Sequence, residues 1–242
     1  MTTLDLLYIA FVAVTLLLDH FVLWRTFLRR AQHDPARARL KLWCGWMAML
    51  WMLAVVGLVL WVREHRIWRP VGFALPHGWR LLGAIGLVLA IGLIQARSVG
   101  RLARASHSER ARLREKFGSL AAMLPHSGSD LRVFIPLSIT AGFCEEFIFR
   151  GYLVWAFRTV LGLWGAAGLS VLAFAAGHAY QGVKGVASAA ILGALLTLVV
   201  LGFGSLWPAI ALHALVDITG GLTAWLGFRD THISAGEATL PM

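Results

Sequence analysis

The chain alternates long apolar runs with short connections rich in arginine. A helix needs about 20 largely apolar residues to cross a bilayer. Seven runs approach this length, at residues 5–24, 42–62, 79–96, 133–156, 160–178, 184–203 and 205–227. No charge interrupts the second run from Leu42 to Val62, whereas the third is short and rich in glycine. We therefore predict an all-α polytopic membrane bundle of about seven transmembrane helices, with six to eight permitted by the uncertain span ends.

The runs group into three segments. Residues 1–132 hold three spans and their basic loops, residues 133–227 hold four closely spaced spans, and residues 228–242 form a short tail. The first run is followed by Asp19 and His20 rather than by a small-residue cleavage site, so it is typical of a membrane span and not of a signal peptide. The sequence names no partner for these two residues.

Composition supports lipid as the solvent of this chain. Hydrophobic residues make up 59% of it and charged residues only 14%, with a mean hydropathy of +0.73. A soluble domain carries roughly 25% charged residues. Too few polar groups are present to cover a surface that faces water.

The basic residues predict the orientation. The net charge is +10, and the connections 25–41 and 97–132 hold 14 of the 22 lysines and arginines. Seven spans place both connections on one side of the membrane, and the positive-inside rule makes that side cytoplasmic. The connection 63–80, on the other side, is also basic. We expect a multi-pass protein of the cell membrane, which we take to be a bacterial inner membrane. Anionic lipids are the expected lipid partners. Nucleic-acid binding is not expected, because the charges lie beside spans.

Six ionisable residues lie within the last four runs, where each costs at least about 2.5 kcal/mol unless it is paired or hydrated. They are Glu145, Glu146, Arg150, His178, His213 and Asp217. Glu146 and Arg150 are four residues apart and share a helix face, which predicts a structural ion pair. His213 and Asp217 have the same spacing. Span depths predict that Glu145, His178, His213 and Asp217 meet between the midplane and the cytoplasmic side.

A carboxylate and two imidazoles in a partly dry cavity suit the activation of water. Glu145 can take a proton from water while a histidine supports it, and His213 with Asp217 can stabilise the resulting oxyanion. Alternatively, His178, His213 and Glu145 bind zinc and leave one position open for water. The sequence leaves both mechanisms, and hence the cofactor, open.

Three short motifs follow one another in the last four runs: Glu145-Glu146-x-x-x-Arg150, Phe174-x-x-x-His178 and His213-x-x-x-Asp217. Together they resemble the CAAX-protease and bacteriocin-processing (CPBP) family, which includes the type II CAAX prenyl endopeptidases. The resemblance covers about residues 130–225.

The resemblance implies an intramembrane endopeptidase whose active site opens toward the cytoplasm. By position, Glu145 would be the base, His178 its catalytic partner, and His213 with Asp217 the oxyanion-stabilising pair. Glu146, Arg150 and Phe174 would support them. Asp217 stands where the prenyl endopeptidases have Asn, which leaves its role and the use of prenylated substrates open. The implied substrate is a membrane-associated or hydrophobic peptide, with prenylated CAAX-like peptides among the candidates.

Two other classes of protein use similar residues. A proton-coupled transporter is disfavoured because no repeated half and no matching pair of broken helices occurs. A non-catalytic binding or immunity protein would tolerate the loss of its carboxylates, so the intact set favours catalysis. Cys144 is disfavoured as a nucleophile because a buried thiol beside a carboxylate is poorly reactive. Tyr180, Gln181 and Lys184 are interpreted as ordinary loop residues.

Overall fold

The computed structural model describes residues 1–237, and their side chains as far as Arg229 apart from Ser119. This part of the chain is helical and contains no strand. The helices are α1 (Thr3–Ala31), α2 (Pro35–Arg63), α3 (Trp79–Ala103), α4 (His107–Phe117), α5 (Gly128–Gly177), α6 (Gly182–Phe203) and α7 (Trp207–Glu237). Six of them, all but α4, are long and apolar enough to cross a membrane. The predicted all-α membrane bundle is confirmed.

Helix α5 folds back on itself at Gly162, whose φ of 69° and ψ of 172° leave the helical region. The Ser170 hydroxyl donates a hydrogen bond to the Phe149 carbonyl at 2.7 Å. Twenty-one residues along a straight helix would separate them by about 30 Å. The predicted spans 133–156 and 160–178 are therefore two antiparallel arms, residues 128–161 and 163–177, of one helical hairpin.

The first arm of α5 occupies the centre of the bundle. It packs against α2 and against α7. The second arm packs against α6, and α3 packs against α7. At the crossing with α7, a Cβ atom on Gly142 would lie 3.0 Å from both the Ala214 nitrogen and the Ile210 carbonyl oxygen. Glycine therefore permits the two backbones to approach closely, as is common between membrane helices.

Contacts between connections define one end of the bundle, here called the Asp5 end. The Arg66 guanidinium pairs with Asp5 at 2.8 Å, and the Tyr152 hydroxyl donates to the same carboxylate. The Leu206 amide donates to the Gly72 carbonyl at 2.8 Å. The N-terminus and the connections before α3 and α7 therefore lie together.

The opposite end is here called the Asp130 end. Asp130 forms a capping box with Ser127 at the start of α5 and pairs with Arg39 of α2 at 3.1 Å. The Arg114 guanidinium of α4 donates to the Gly227 carbonyl of α7 at 2.7 Å. The two strongly basic connections, 25–41 and 97–132, thus lie at this end of the bundle, as seven passes of the chain require.

The last helix is longer than the predicted span 205–227. Helix α7 continues to Glu237, so the first ten residues of the predicted tail 228–242 extend this helix. Residues 238–242 of that tail lie outside the described residues.

Candidate active site

The two glutamates lie where the first arm of α5 changes its helical form. Residues Gly128–Glu145 are α-helical, and Glu146–Leu153 form a π-helical segment. Segments of π-helix are rare and often occur at functional sites. No pattern in the sequence indicated this change, since the apolar positions around Glu146 are compatible with either helix.

A fully buried network surrounds Glu146, whose side chain is 0% exposed. Its Oε1 atom lies 2.9 Å from Nη1 of Arg150, so the ion pair predicted from the spacing is present. The same oxygen lies 2.8 Å from Nδ1 of His213 on α7. An ionised carboxylate only accepts hydrogen bonds, so this nitrogen of His213 carries a proton. Glu146 therefore fixes the tautomer and the ring orientation of His213.

Arg150 joins the network to α6 and to the second arm of α5. Its guanidinium lies 4.1 Å from the centre of the Phe174 ring, and Nε lies 3.5 Å from the Thr197 hydroxyl. A Cβ atom on Gly193 would lie only 2.8 Å from Nη2 of Arg150, so a side chain at this position would displace the guanidinium. Nη2 of Arg150 and Oε2 of Glu146 are buried without a hydrogen-bond partner among the described side chains.

Two accessible carboxylates flank the other nitrogen of His213. Nε2 lies 3.8 Å from Oε2 of Glu145 and 3.7 Å from Oδ2 of Asp217. Both distances exceed those of direct hydrogen bonds. The Glu145 side chain is 17% exposed and that of Asp217 is 33% exposed, against 0% for Glu146. Glu145 is therefore the glutamate that water or a substrate can reach.

His178 directly follows the second arm of α5, beyond Gly177. Its Nδ1 lies 2.9 Å from the Phe174 carbonyl, which only accepts, so Nδ1 carries the proton and Nε2 is free to act as a base. The Phe174 ring lies 4.6 Å from the His178 ring and 5.8 Å from the His213 ring. The Phe174 ring therefore packs against both imidazoles.

The turn that carries His178 ends inside the bundle. The second arm has 15 residues, about 22 Å of helix, which is shorter than a hydrocarbon core of about 30 Å. Tyr180 of this turn packs against Trp24 of α1 and Trp46 of α2, both well inside their helices. Non-helical backbone at membrane depth occurs where it is buried in protein or lines a water-filled cavity.

The structure brings the four predicted catalytic residues into one region, with one difference in their pairing. His213 is the imidazole within 4 Å of Glu145, whereas His178 forms no ion pair with Glu145. His178 packs on the Phe174 ring and interacts electrostatically with Asp217 and His213. The sequence could not place Glu146 between Arg150 and His213, because that contact joins two helices far apart in the chain.

The zinc alternative does not fit the arrangement of side chains. Within the described residues, no three histidine, cysteine, aspartate or glutamate side chains are grouped so that they could hold a metal ion. Of the proposed ligands, Glu145 and His213 lie 3.8 Å apart, but His178 is not grouped with them. Nδ1 of His213 is also engaged by Glu146.

Sequence reasoning missed three residues beside the site. Asp19 begins a π-helical turn of α1, Asp19–Leu23, and accepts a hydrogen bond from Nε1 of Trp46 at 2.6 Å. Tyr180 lies in the turn between α5 and α6, and its ring packs against Trp46. The sequence indicated this region only through Asp19, an acidic residue inside the first span. Its partner Trp46 lies on another helix and could not be inferred.

One comparison with known proteins bears on this geometry. Residues 127–219 match a family model described as type II CAAX prenyl endopeptidase Rce1-like. The chain carries an Rce1-like domain. This domain includes all three motifs and confirms the resemblance to the CPBP family. The Rce1-like match implies a protease, and so a hydrolase, within a multi-pass membrane protein. No curated protein and no solved structure matches the chain significantly.

Proposed function

We propose that the protein is an intramembrane endopeptidase in which Glu145 activates the attacking water. The observation that carries this proposal is the position of Glu145 Oε2, 3.8 Å from the Nε2 atom of His213. An accessible carboxylate thus faces an imidazole whose orientation is fixed from behind by Glu146. A general base and an oriented proton-transfer group are what hydrolysis of an amide by water requires.

The reaction begins at Glu145. Its carboxylate takes a proton from water as the water oxygen attacks the carbonyl carbon of the scissile bond. The carbonyl oxygen becomes an oxyanion, and His213 donates to it from Nε2 when both of its nitrogens are protonated. Asp217, 3.7 Å from the same nitrogen, is screened by the imidazole and helps to hold it. This screening removes the repulsion that a bare carboxylate would exert on the oxyanion.

Collapse of the tetrahedral intermediate breaks the carbon–nitrogen bond. The leaving amine needs a proton, which Glu145 returns from the water that it deprotonated. His178 supports this step with the free Nε2 atom of an imidazole that is held by the Phe174 carbonyl. The proton removed from the water is thereby delivered to the amine, the hydroxyl group of the water stays on the product acid, and the enzyme returns to its starting state.

The substrate proposed is a hydrophobic or membrane-tethered peptide, with prenylated CAAX-like peptides among the candidates. The short second arm of α5 supports entry from the Asp130 end, because the α5–α6 turn stops inside the bundle on that side. If the positive-inside rule holds, this end is cytoplasmic. We also propose a bacterial inner membrane as the location. Anionic lipids would contact the groove beside Arg97 and Arg101 of α3 and Arg104, which directly follows this helix.

A cleavage assay in liposomes tests the proposed function. Quenched-fluorescent peptides, including membrane-anchored and prenylated CAAX peptides, are offered to wild type and to Glu145→Gln. Glu115→Gln on α4 is the control, because that acid is exposed and distant from the site. We expect cleavage by wild type and the control alone, unaffected by a zinc chelator.

The rival functions give different results in the same vesicles. A binding protein would retain the peptides at wild-type affinity without cutting them. A transporter would move protons, which a pH-sensitive dye inside the liposomes reports. Either result without cleavage of any peptide would overturn the proposal.

A further inference from the structure

Asp19 is a buried acid that the proposed mechanism does not use. It is 5% exposed and lies within the apolar span of α1. Among the described residues no lysine or arginine pairs with it, and its hydrogen-bond partner is the neutral indole of Trp46 at 2.6 Å. A carboxyl group at membrane depth is costly and is typically found where it serves a function.

Contacts connect Asp19 to the candidate active site. Trp46, which donates to Asp19, packs against Tyr180 with ring centres 5.4 Å apart. The Tyr180 ring is nearly parallel to that of His178, at 25°, with ring centres 6.2 Å apart. Trp24 packs on Tyr180 from α1 as well, at 5.0 Å. The turn that holds His178 therefore packs, through Tyr180, on the same Trp46 that binds the Asp19 carboxyl group.

The backbone at Asp19 is also unusual. The π-helical turn Asp19–Leu23 interrupts α1 just as the segment Glu146–Leu153 interrupts α5. Each begins at an acidic residue, and both acids lie in the middle part of the bundle. Because π-helical turns re-aim side chains and cost stability, they tend to occur at functional sites.

We propose that Asp19 is a positioning residue of the active site, which orients the His178 turn through Trp46 and Tyr180 and places negative charge opposite the His178 imidazole. The carboxylate of Asp19 stabilises the partial positive charge that His178 gains when its free Nε2 atom accepts a hydrogen bond from the leaving amine. This inference rests on the proposed function and extends the site to α1, outside the matched residues 127–219.

Several charged or titratable groups face Asp19. His20 adjoins it on α1, and it interacts electrostatically with His178 and Tyr180 of the α5–α6 turn and with Glu145 of the first arm of α5. The residue that contacts it from α2 is the neutral Trp46. Asp19 thus lies within electrostatic range of both the proposed base and the proposed partner histidine.

Turnover of Asp19 variants tests this inference. Asp19→Asn keeps an acceptor for Trp46 and removes the charge, so we expect kcat to fall about 10- to 100-fold with KM unchanged within about twofold. Asp19→Glu restores the charge and should recover part of kcat. Thr15→Val is the matched control, since Thr15 is a buried polar residue one turn away that bonds only to its own helix at Phe11. It should leave kcat unchanged.

A second control and a second readout separate this inference from the proposed function. Asp5→Asn removes another buried acid of α1, far from the site, and should lower stability but not the kcat of the folded protein. In protein labelled with ¹⁵N-histidine, the NMR signals of His178, assigned by their loss in His178→Gln, should shift in Asp19→Asn and not in Asp5→Asn.

The outcomes are distinct. If wild type cleaves peptides and Asp19→Asn retains its kcat within about twofold, Asp19 has no positioning role and the proposed function stands. If wild type cleaves nothing, the proposed function fails, and the NMR signals of His178 then test the coupling between Asp19 and His178 by themselves. Signals unchanged by Asp19→Asn would then overturn the coupling between Asp19 and His178.

Discussion

His213 and Glu146 form a hydrogen bond of 2.8 Å between Nδ1 and Oε1, although 67 residues separate them in the chain. The same oxygen also binds Arg150. Glu146 therefore has two partners in a site with 0% exposure, and both depend on its negative charge.

Glu146→Gln should affect both stability and turnover. The substitution leaves the buried guanidinium of Arg150 without its counter-charge, which costs about 3–5 kcal/mol of unfolding free energy. The His213 ring also loses the acceptor that orients it, so kcat should fall in the protein that remains folded. Denaturant unfolding in micelles measures the first effect. Glu115→Gln should change stability by less than about 0.5 kcal/mol. A Glu146→Gln protein as stable as wild type would show that the buried pair is absent.

Gly193→Ala should disturb the same network from α6. Its Cβ atom would lie 2.8 Å from Nη2 of Arg150 and 3.1 Å from Cδ1 of Phe174. Overpacking of this kind costs about 1–3 kcal/mol. Gly202→Ala on the same helix is the control, because no atom lies within 4 Å of the added carbon. Equal thermal stability of the two variants would contradict the close approach of α6 to Arg150.

Gly162→Ala tests the reversal of α5. The positive φ of 69° at Gly162 disfavours any residue with a Cβ atom by about 1–2 kcal/mol. Gly168→Ala changes a helical glycine of the second arm that has equally open surroundings, and it should be neutral or stabilising. The difference in unfolding free energy between the two variants is the measurement. If α5 ran straight through this position, Gly162→Ala would stabilise the protein as Gly168→Ala does.

Labelling of single cysteines tests the orientation. Ser108→Cys lies at the Asp130 end and His77→Cys in the connection at the Asp5 end, and both positions are exposed. With Cys44 and Cys144 replaced, a membrane-impermeant maleimide should label His77→Cys from outside intact bacterial cells. It should label Ser108→Cys only in inverted membrane vesicles. The reverse pattern would place the active-site opening on the outer face.

The sequence predicted those features that depend on local spacing. Hydropathy alone located the spans, and the spacing of four residues predicted the pair of Glu146 and Arg150. The reversal at Gly162 lies three residues beyond the predicted break at 157–159, inside the predicted span 160–178, but the number of chain passes is as predicted. The helix itself nevertheless continues on both sides of that break.

Features that depend on contacts between distant helices were not predictable. The contact of His213 with Glu146 requires α5 and α7 to cross at Gly142, and nothing in either segment alone specifies that crossing. The π-helical segments at Asp19 and Glu146 arise in helices whose apolar pattern fits an ordinary α-helix. For the same reason Asp19 had no assignable partner, since Trp46 lies on a different span.

The turnover of Glu145→Gln tests the central claim most directly. This variant keeps the size of the side chain and removes the base, so kcat for a peptide cleaved by wild type should fall about 10²- to 10⁴-fold. The midpoint of thermal unfolding should stay close to that of wild type, because Glu145 is partly exposed and makes no direct hydrogen bond. Turnover by folded Glu145→Gln at the wild-type rate would contradict the account, since the water would then be activated by another group.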